Sequence, residues 1–203
     1  MNVCRWQIAT AILAMVVGSA GCGGPRIITL SYTPPAAAST TGPRLVILPF
    51  DDRRGDEGDD GDPYRVGGMY ARYGNRLAKV TVTRPWPPQL REALAAEFRA
   101  AGVEATVADT REPNAFSLAG EIRNFSTESR FGREAHIAVI LRLRTPQGQP
   151  FEKRIDVRES SGYHRDPYNA YILERLLNKA FAEFVNKVAS DPEIRAALLG
   201  PAP

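Results

Sequence analysis

Arg44-Leu45-Val46-Ile47-Leu48-Pro49-Phe50 is a near-continuous apolar run of strand length. Such a run has no polar face to offer water, so it fits a strand covered on both sides, near the middle of a sheet. The next residues are its opposite. Asp51 to Asp62 is almost entirely Asp, Gly, Arg and Glu, too polar and too Gly-rich to pack, and predicts a solvated loop. A Gly-containing region around Gly67, Gly68 and Gly74 leads to Lys79-Val80-Thr81-Val82-Thr83, whose β-branched residues predict a second strand.

Further downstream the period changes. Leu90, Leu94, Phe98 and Ala101 recur at three- and four-residue intervals, which gives a helix from about Pro87 to Ala101 with one apolar stripe. Proline at its opening positions sacrifices no hydrogen bond, and Gly102 stands where a left-handed cap ends a helix. Three strand candidates follow. Val103, Ala105 and Val107 alternate in the first, Leu118, Gly120 and Ile122 in the second. In the third, Ile137, Val139, Leu141 and Leu143 point one way while His136, Arg142 and Arg144 point the other, so one face is buried and one is wet. The turn Thr145-Pro146-Gln147-Gly148-Gln149-Pro150 joins it to a partner strand from Phe151 to Arg158, as in a hairpin.

A long helix spans about Pro167 to Ala189, with Leu173, Leu176, Leu177, Ala180, Phe181, Phe184 and Val188 on one stripe. Asp191-Pro192 opens a short final helix that Gly200 ends. The order strand, strand, helix, several strands, helix predicts an α+β fold: a mixed β-sheet with two main α-helices packed on one face, forming a single domain from residue 44 to 203.

Upstream of Arg44 the chain changes character. Thr33 to Pro43 is rich in Pro, Ala, Ser and Thr and reads as a flexible tether. The β-prone stretch Ile27 to Tyr32 is read either as an edge strand added to the domain, which is preferred, or as a strand offered to a partner. Before it, Arg5 precedes an apolar run from Ile8 through Val17, about half the ~20 residues a membrane-spanning helix needs. Ser19-Ala20-Gly21-Cys22 follows. Charge, short apolar run and small residues make residues 1–21 a secretion signal, and the cysteine makes it a lipoprotein signal, with Ser19 where Leu is usual. Residues 22–43 are then the lipidated N-terminus and tether, with acylated Cys22 holding the protein to the membrane; the alternative is an ordinary signal peptide cut nearby. Gly23, where an Asp would retain an enterobacterial lipoprotein at the inner membrane, points to the periplasmic face of the outer membrane. Cys4 lies in the discarded segment and Cys22 is acylated, so no disulfide is expected even in an oxidising compartment.

Composition agrees with a globular domain. The chain is 43% hydrophobic and 24% charged with a formal net charge of +3, values that call for no polyanionic partner. Export speaks further against nucleic acid.

Few residues invite chemistry. His136 and His164 are the only histidines; they lie in different elements, and no Cys, Asp or Glu set converges on either, so no catalytic residue, metal site or cofactor is expected. Asp56, Asp60 and Gly61 match positions one, five and six of a calcium-loop count, but Gly58 and Gly67 occupy positions three and twelve, where ligands are required. Basic residues concentrate in the later strands. Arg142, Arg144, Arg154 and Arg158 are read as a docking surface if they share one face, against an ordinary solvated face on which Glu121, Glu152 or Asp156 offset them. Tyr163, Tyr168 and Tyr171 form a second contact patch, or pack on the sheet.

The buried strand ending in Leu48-Pro49-Phe50 and followed by Asp52-Arg53 resembles the opening of YajG-type and ABC-transport auxiliary lipoproteins of the bacterial envelope. So does Leu90-Arg91-Glu92-Ala93-Leu94 running to Ala101-Gly102-Val103, and Leu118-Ala119-Gly120-Glu121-Ile122 with Phe125 resembles their L-x-G-x-I-x-x-F strand. The similarity covers residues 45 to 189 in outline. It implies a fold akin to the N-terminal domain of TolB, no enzymatic activity, and a role as an adaptor or accessory subunit of an envelope complex for transport or assembly, with an envelope protein as partner. A lipid-binding or structural lipoprotein and an envelope hydrolase are the alternatives.

Overall fold

The structure, a computed structural model, describes residues 24–36, 42–55, 62–71, 74–129, 132–162 and 169–199. The signal segment, Cys22, the middle of the predicted tether, the calcium-loop positions Asp56 to Gly61, Tyr163, His164 and Tyr168 lie outside the described residues.

One strand organises the sheet. β6 (Phe116–Ser129) is long enough to accept two strands end to end along one edge. Its first half pairs in parallel with β2 (Arg44–Asp52), and its last residues, Thr127 to Ser129, pair in parallel with β3 (Arg65–Tyr70). Its other edge carries β7 (Arg133–Arg144), antiparallel along its whole length, and β7 in turn pairs with β8 (Pro150–Ser161). β5 (Glu104–Val107) flanks β2, and β4 (Arg76–Val82) and β1 (Arg26–Ile28) extend the sheet beyond β3. The result is an eight-stranded mixed sheet.

The apolar run that predicted a central strand behaves as one. Leu45, Val46 and Ile47 are all at most 1% exposed, on both faces of β2. Proline interrupts this strand where it does least harm. The β2–β6 register slips between Ile47 and Phe50, after the pairing with β5 has ended, so Pro49 lacks an N–H where the ladder is already broken.

Helices α1 (Trp86–Ala100) and α2 (Ala170–Ser190) pack on one face of the sheet. Leu90, Leu94 and Phe98 of α1 meet Leu173, Leu177, Phe181 and Phe184 of α2 in a single core. The caps expected at Gly102 and Asp191 form, and Asn169 adds one not read from the sequence. Gly102 takes φ +85°, and the Val103 and Gly102 amides donate to the Phe98 and Arg99 carbonyls, the paired bonds of a Schellman end. Asn169 caps α2 by accepting from the Tyr171 amide, and Asp191 caps the short α3 (Pro192–Leu199) by accepting from the Glu193 and Ile194 amides. The expected α+β architecture, with two main helices on one face, is therefore present.

Two segments differ from expectation. The Gly-containing region after Asp62 is a strand, β3, and not a connection. Gly67 has φ +142°, and a β-carbon there would collide with the Thr127 carbonyl, so glycine is what lets β3 come close enough to pair with β6. The segment read as tether also enters the fold. β1 lies within it as the expected edge strand, paired in parallel with β4, and beyond β1 Leu30 is 3% exposed. Arg26–Ile28 and Leu30 thus pack with the folded unit, ahead of residue 44.

Candidate functional site

The face of β6, β7 and β8 on which no described helix packs gathers the charged residues. Arg142, Arg144, Arg154 and Arg158 share this outer face, because Ile137, Val139, Leu141 and Leu143 alternate with the β7 pair and Ile155 and Val157 with the β8 pair toward the helices. They do not form a bare cationic patch. Arg142 binds Glu152, its neighbour across the ladder, at 3.0 Å and Glu121 at 3.0 Å. Arg123 approaches the other oxygen of Glu121 at 2.6 Å. Arg154 and Arg158 both reach Asp156, at 3.2 and 3.5 Å, and Arg144 stands exposed at the strand end. Acids thus offset the arginines, as like charges on neighbouring strands require.

His136 belongs to the same face. Its Nε2 lies 3.1 Å from Asp156. Burial alone would raise the Asp156 carboxyl, but His136, Arg154 and Arg158 outweigh it and hold Asp156 below the usual carboxylate range. Beside them Asn124, Ser126, Glu128, Glu134 and His136 line a cleft of about 170 Å³. Among the described residues no group of His, Cys, Asp and Glu could hold a metal ion.

A second region lies where the N-terminal segment crosses the helices. The Thr29 and Ser31 amides donate to Glu174 and Asn178 of α2, and the Asn178 amide returns a bond to the Thr29 carbonyl. The Tyr32 hydroxyl donates to Glu97 of α1, and its ring meets Phe181 edge-on at 6.1 Å. Burial, and then the Glu97 carboxylate, push the Tyr32 phenol well above its ordinary value. Between this segment and α1 opens a cleft of about 420 Å³ flanked by Arg84, Gln89 and Glu92. The space between helices and sheet, by contrast, is filled: Leu90, Leu94, Phe98, Phe181 and Phe184 are at most 1% exposed.

One buried charge has no distinguishing mark in the sequence. Arg54 comes from the segment expected to be solvated, yet its side chain is 6% exposed. Its guanidinium pairs with Asp52 through Nε at 2.9 Å and a terminal nitrogen at 2.9 Å, and donates to the carbonyls of Arg65 at 2.7 Å and Phe125 at 3.3 Å. It also lies 4.7 Å over the Trp86 ring, which stacks on Phe125 at 4.3 Å. Arg54 fills the gap on the β6 edge between the end of β2 and the start of β3, supplying donors where no strand does. The expectation of a wholly solvated Asp51–Asp62 loop is therefore corrected at its first residues.

No protein-family model and no curated protein matches this chain. Solved structures share its architecture. A Xanthomonas campestris protein of family DUF330 superposes with a TM-score of 0.57 at 14% identity, covering 80% of this chain and 90% of that one. A second structure, described as an uncharacterized protein, gives 0.56 at 14% identity over 82% and 97%. A minor lipoprotein from Acinetobacter baumannii aligns over 77% and 95% at 9% identity, but its TM-score of 0.43 carries no weight. The chain thus has the α+β fold of the DUF330 structure. No described helix is long and apolar enough to cross a membrane.

Proposed function

We propose that this chain is a lipoprotein anchored through acylated Cys22 to the periplasmic face of the outer membrane, acting without catalysis as an adaptor or accessory subunit of an envelope complex. The observation that carries the proposal is the outer face of β6 to β8, which no described helix covers and where Arg142, Arg154 and Arg158 alternate with Glu121, Glu152 and Asp156. The more exposed of these pairs, Arg142–Glu152, Arg154–Asp156 and Arg158–Asp156, contribute only about 0–1 kcal/mol each to stability. Their value lies in recognition, since a patterned face of both signs favours a partner of complementary pattern and disfavours others. The filled helix–sheet interface supports docking over carriage of an acyl chain between these layers.

Affinity capture of the lipidated protein from solubilised envelopes tests this. A specific envelope protein should be recovered with the native chain and lost with the combined Arg142→Glu, Arg154→Glu and Arg158→Glu substitutions, the fold being checked by circular dichroism. Recovery unchanged by the triple substitution, or no envelope protein recovered at all, would defeat the adaptor role. Mass spectrometry of the mature N-terminus tests the anchor.

A further inference from the structure

We infer that the corner of the domain formed by β1, the first half of β4 and the first turn of α2 is a membrane-apposed surface that rests on anionic phospholipid headgroups. The inference rests on the lipid anchor at Cys22 proposed above, and adds how the domain sits once anchored.

Chain length is the first argument. Only Gly23, Gly24 and Pro25 separate Cys22 from Arg26, the first residue of β1. Four residue steps span at most about 14 Å when fully extended. A tether running to residue 43 would let the domain roam, but β1 is already fixed: Arg26 to Ile28 pair with Val80 to Val82, and Thr29 and Ser31 are tied to Glu174 and Asn178. An acyl chain on Cys22 therefore pulls one corner of the folded domain against the bilayer.

Register identifies that corner. β1 runs parallel to β4, so the chain before Arg26 heads toward the Arg76–Leu77 end of β4. It also runs in the same sense as α2, with Thr29 against Glu174, Ser31 against Asn178 and Tyr32 against Phe181. Extending that register back one turn brings Arg26 and Ile27 level with Tyr171.

The side chains there suit a headgroup layer. Tyr171 is 67% exposed and Ile27 64%, the two highest values among the exposed large hydrophobic residues described, and Leu77 is 38% exposed. Exposed Arg26 and Arg76 precede Ile27 and Leu77 in their strands, and exposed Arg175 follows Tyr171 by about one helical turn. The nearby acid Glu174 is engaged by the Thr29 amide. Tyrosine favours the membrane–water interface, and each basic side chain near an anionic surface adds roughly 1 kcal/mol of attraction. The opposite end of the domain, the β7–β8 turn at Gln147, lies about a full strand length away and carries no anchor.

Single cysteines at Leu77, Tyr171 and Gln147, introduced one at a time, test the inference. Each variant is purified from membranes, its acylation read by intact mass, labelled with an environment-sensitive fluorophore, and reconstituted in phosphatidylethanolamine–phosphatidylglycerol vesicles carrying a headgroup-level quencher. Labels at positions 77 and 171 should be quenched several-fold more than the label at 147. A Gly-Ser insertion between Gly23 and Gly24 should erase the difference, because it frees the domain without altering the surface. Equal quenching at all three positions on acylated protein would overturn the apposed surface and leave the anchor standing. An unmodified Cys22 would overturn both. In phosphatidylcholine vesicles the contrast should shrink; an unchanged contrast would overturn the anionic-headgroup assignment.

Discussion

The ring of Phe50 lies against Gly120, its partner across the β2–β6 ladder, in the space a β-carbon at position 120 would take. Phe50 closes the apolar run with which the fold begins, and Gly120 is the small residue in the L-x-G-x-I-x-x-F strand. The two motifs are halves of one contact. Gly120→Ala forces the ring aside and also crowds Val139, and is expected to cost about 1–3 kcal/mol, as overpacking does in well-filled cores. Denaturant titration checks this. Combining it with Phe50→Leu should recover part of the loss; an additive outcome would show that the two residues do not share the space.

Arg54 should be far more sensitive than a loop arginine. Replacing it with Met removes the guanidinium donors from the Arg65 and Phe125 carbonyls and leaves the Asp52 carboxylate with the backbone amide of residue 54. Removing one member of a fully buried ion pair costs about 3–5 kcal/mol, and with Asp52 21% exposed the loss here should lie below that range. Arg54→Lys keeps the charge but not the planar fork, and should restore less than half of the loss by thermal unfolding. Equal stability of the Lys variant and the native chain would contradict the proposed gap-filling role.

Asp191 predicts a pH dependence. Burial opposes ionisation, but Lys153 and the Ile194 and Glu193 amides outweigh it and hold this carboxyl below its ordinary value. A carboxyl that titrates lower in the folded chain than in the unfolded one stabilises fully above the unfolded value, near about 3.9. That contribution fades as pH falls through the folded value. Asp191→Ala also removes the α3 cap, at about 1 kcal/mol. Urea midpoints measured from pH 7 downward should therefore lie closer together at the acid end than at neutrality.

Asn178 holds the N-terminal segment from both sides, accepting from the Ser31 amide and donating to the Thr29 carbonyl. Asn178→Ala should speed hydrogen exchange across residues 26–32 with little effect on β6 to β8, because local opening follows the loss of local bonds. Uniform acceleration through the whole domain would argue against a separately tied segment.

Legibility of the fold followed periodicity. The slip from period two to period three between Ile122 and Phe125 marks a bulge, for the β6–β7 register shifts between Ile122 and Asn124. The helices were plain because their stripes and caps agree. β3 was not, since Gly67 and Gly68 remove the apolar alternation that announces a strand. The shared face of Arg142, Arg144, Arg154 and Arg158 could be foreseen from alternation and a short hairpin turn. Glu121 was among the acids expected to offset them, but that it bridges Arg142 and Arg123 depends on which strand pairs beside β7. Arg54 was hidden for a like reason: its partners come from β2, β3 and β6, and only the gap between two strands gives it a place.

The long β6 strand also sets the tempo of folding. β6, β7 and β8 follow one another in the chain and can zip up as a meander, whereas β2 has no ladder on its β6 side until Phe116 has been made. Parallel pairing across so long a stretch is slow, because the intervening chain must be closed before any contact compensates for the lost freedom. A polypeptide synthesised from its N-terminus therefore carries Leu45-Val46-Ile47-Leu48 without its β6 partner while residues 49 to 116 are made, which is when aggregation competes. The acidic, glycine-rich residues immediately after this run have the charged composition that, beside an apolar strand, restrains aggregation.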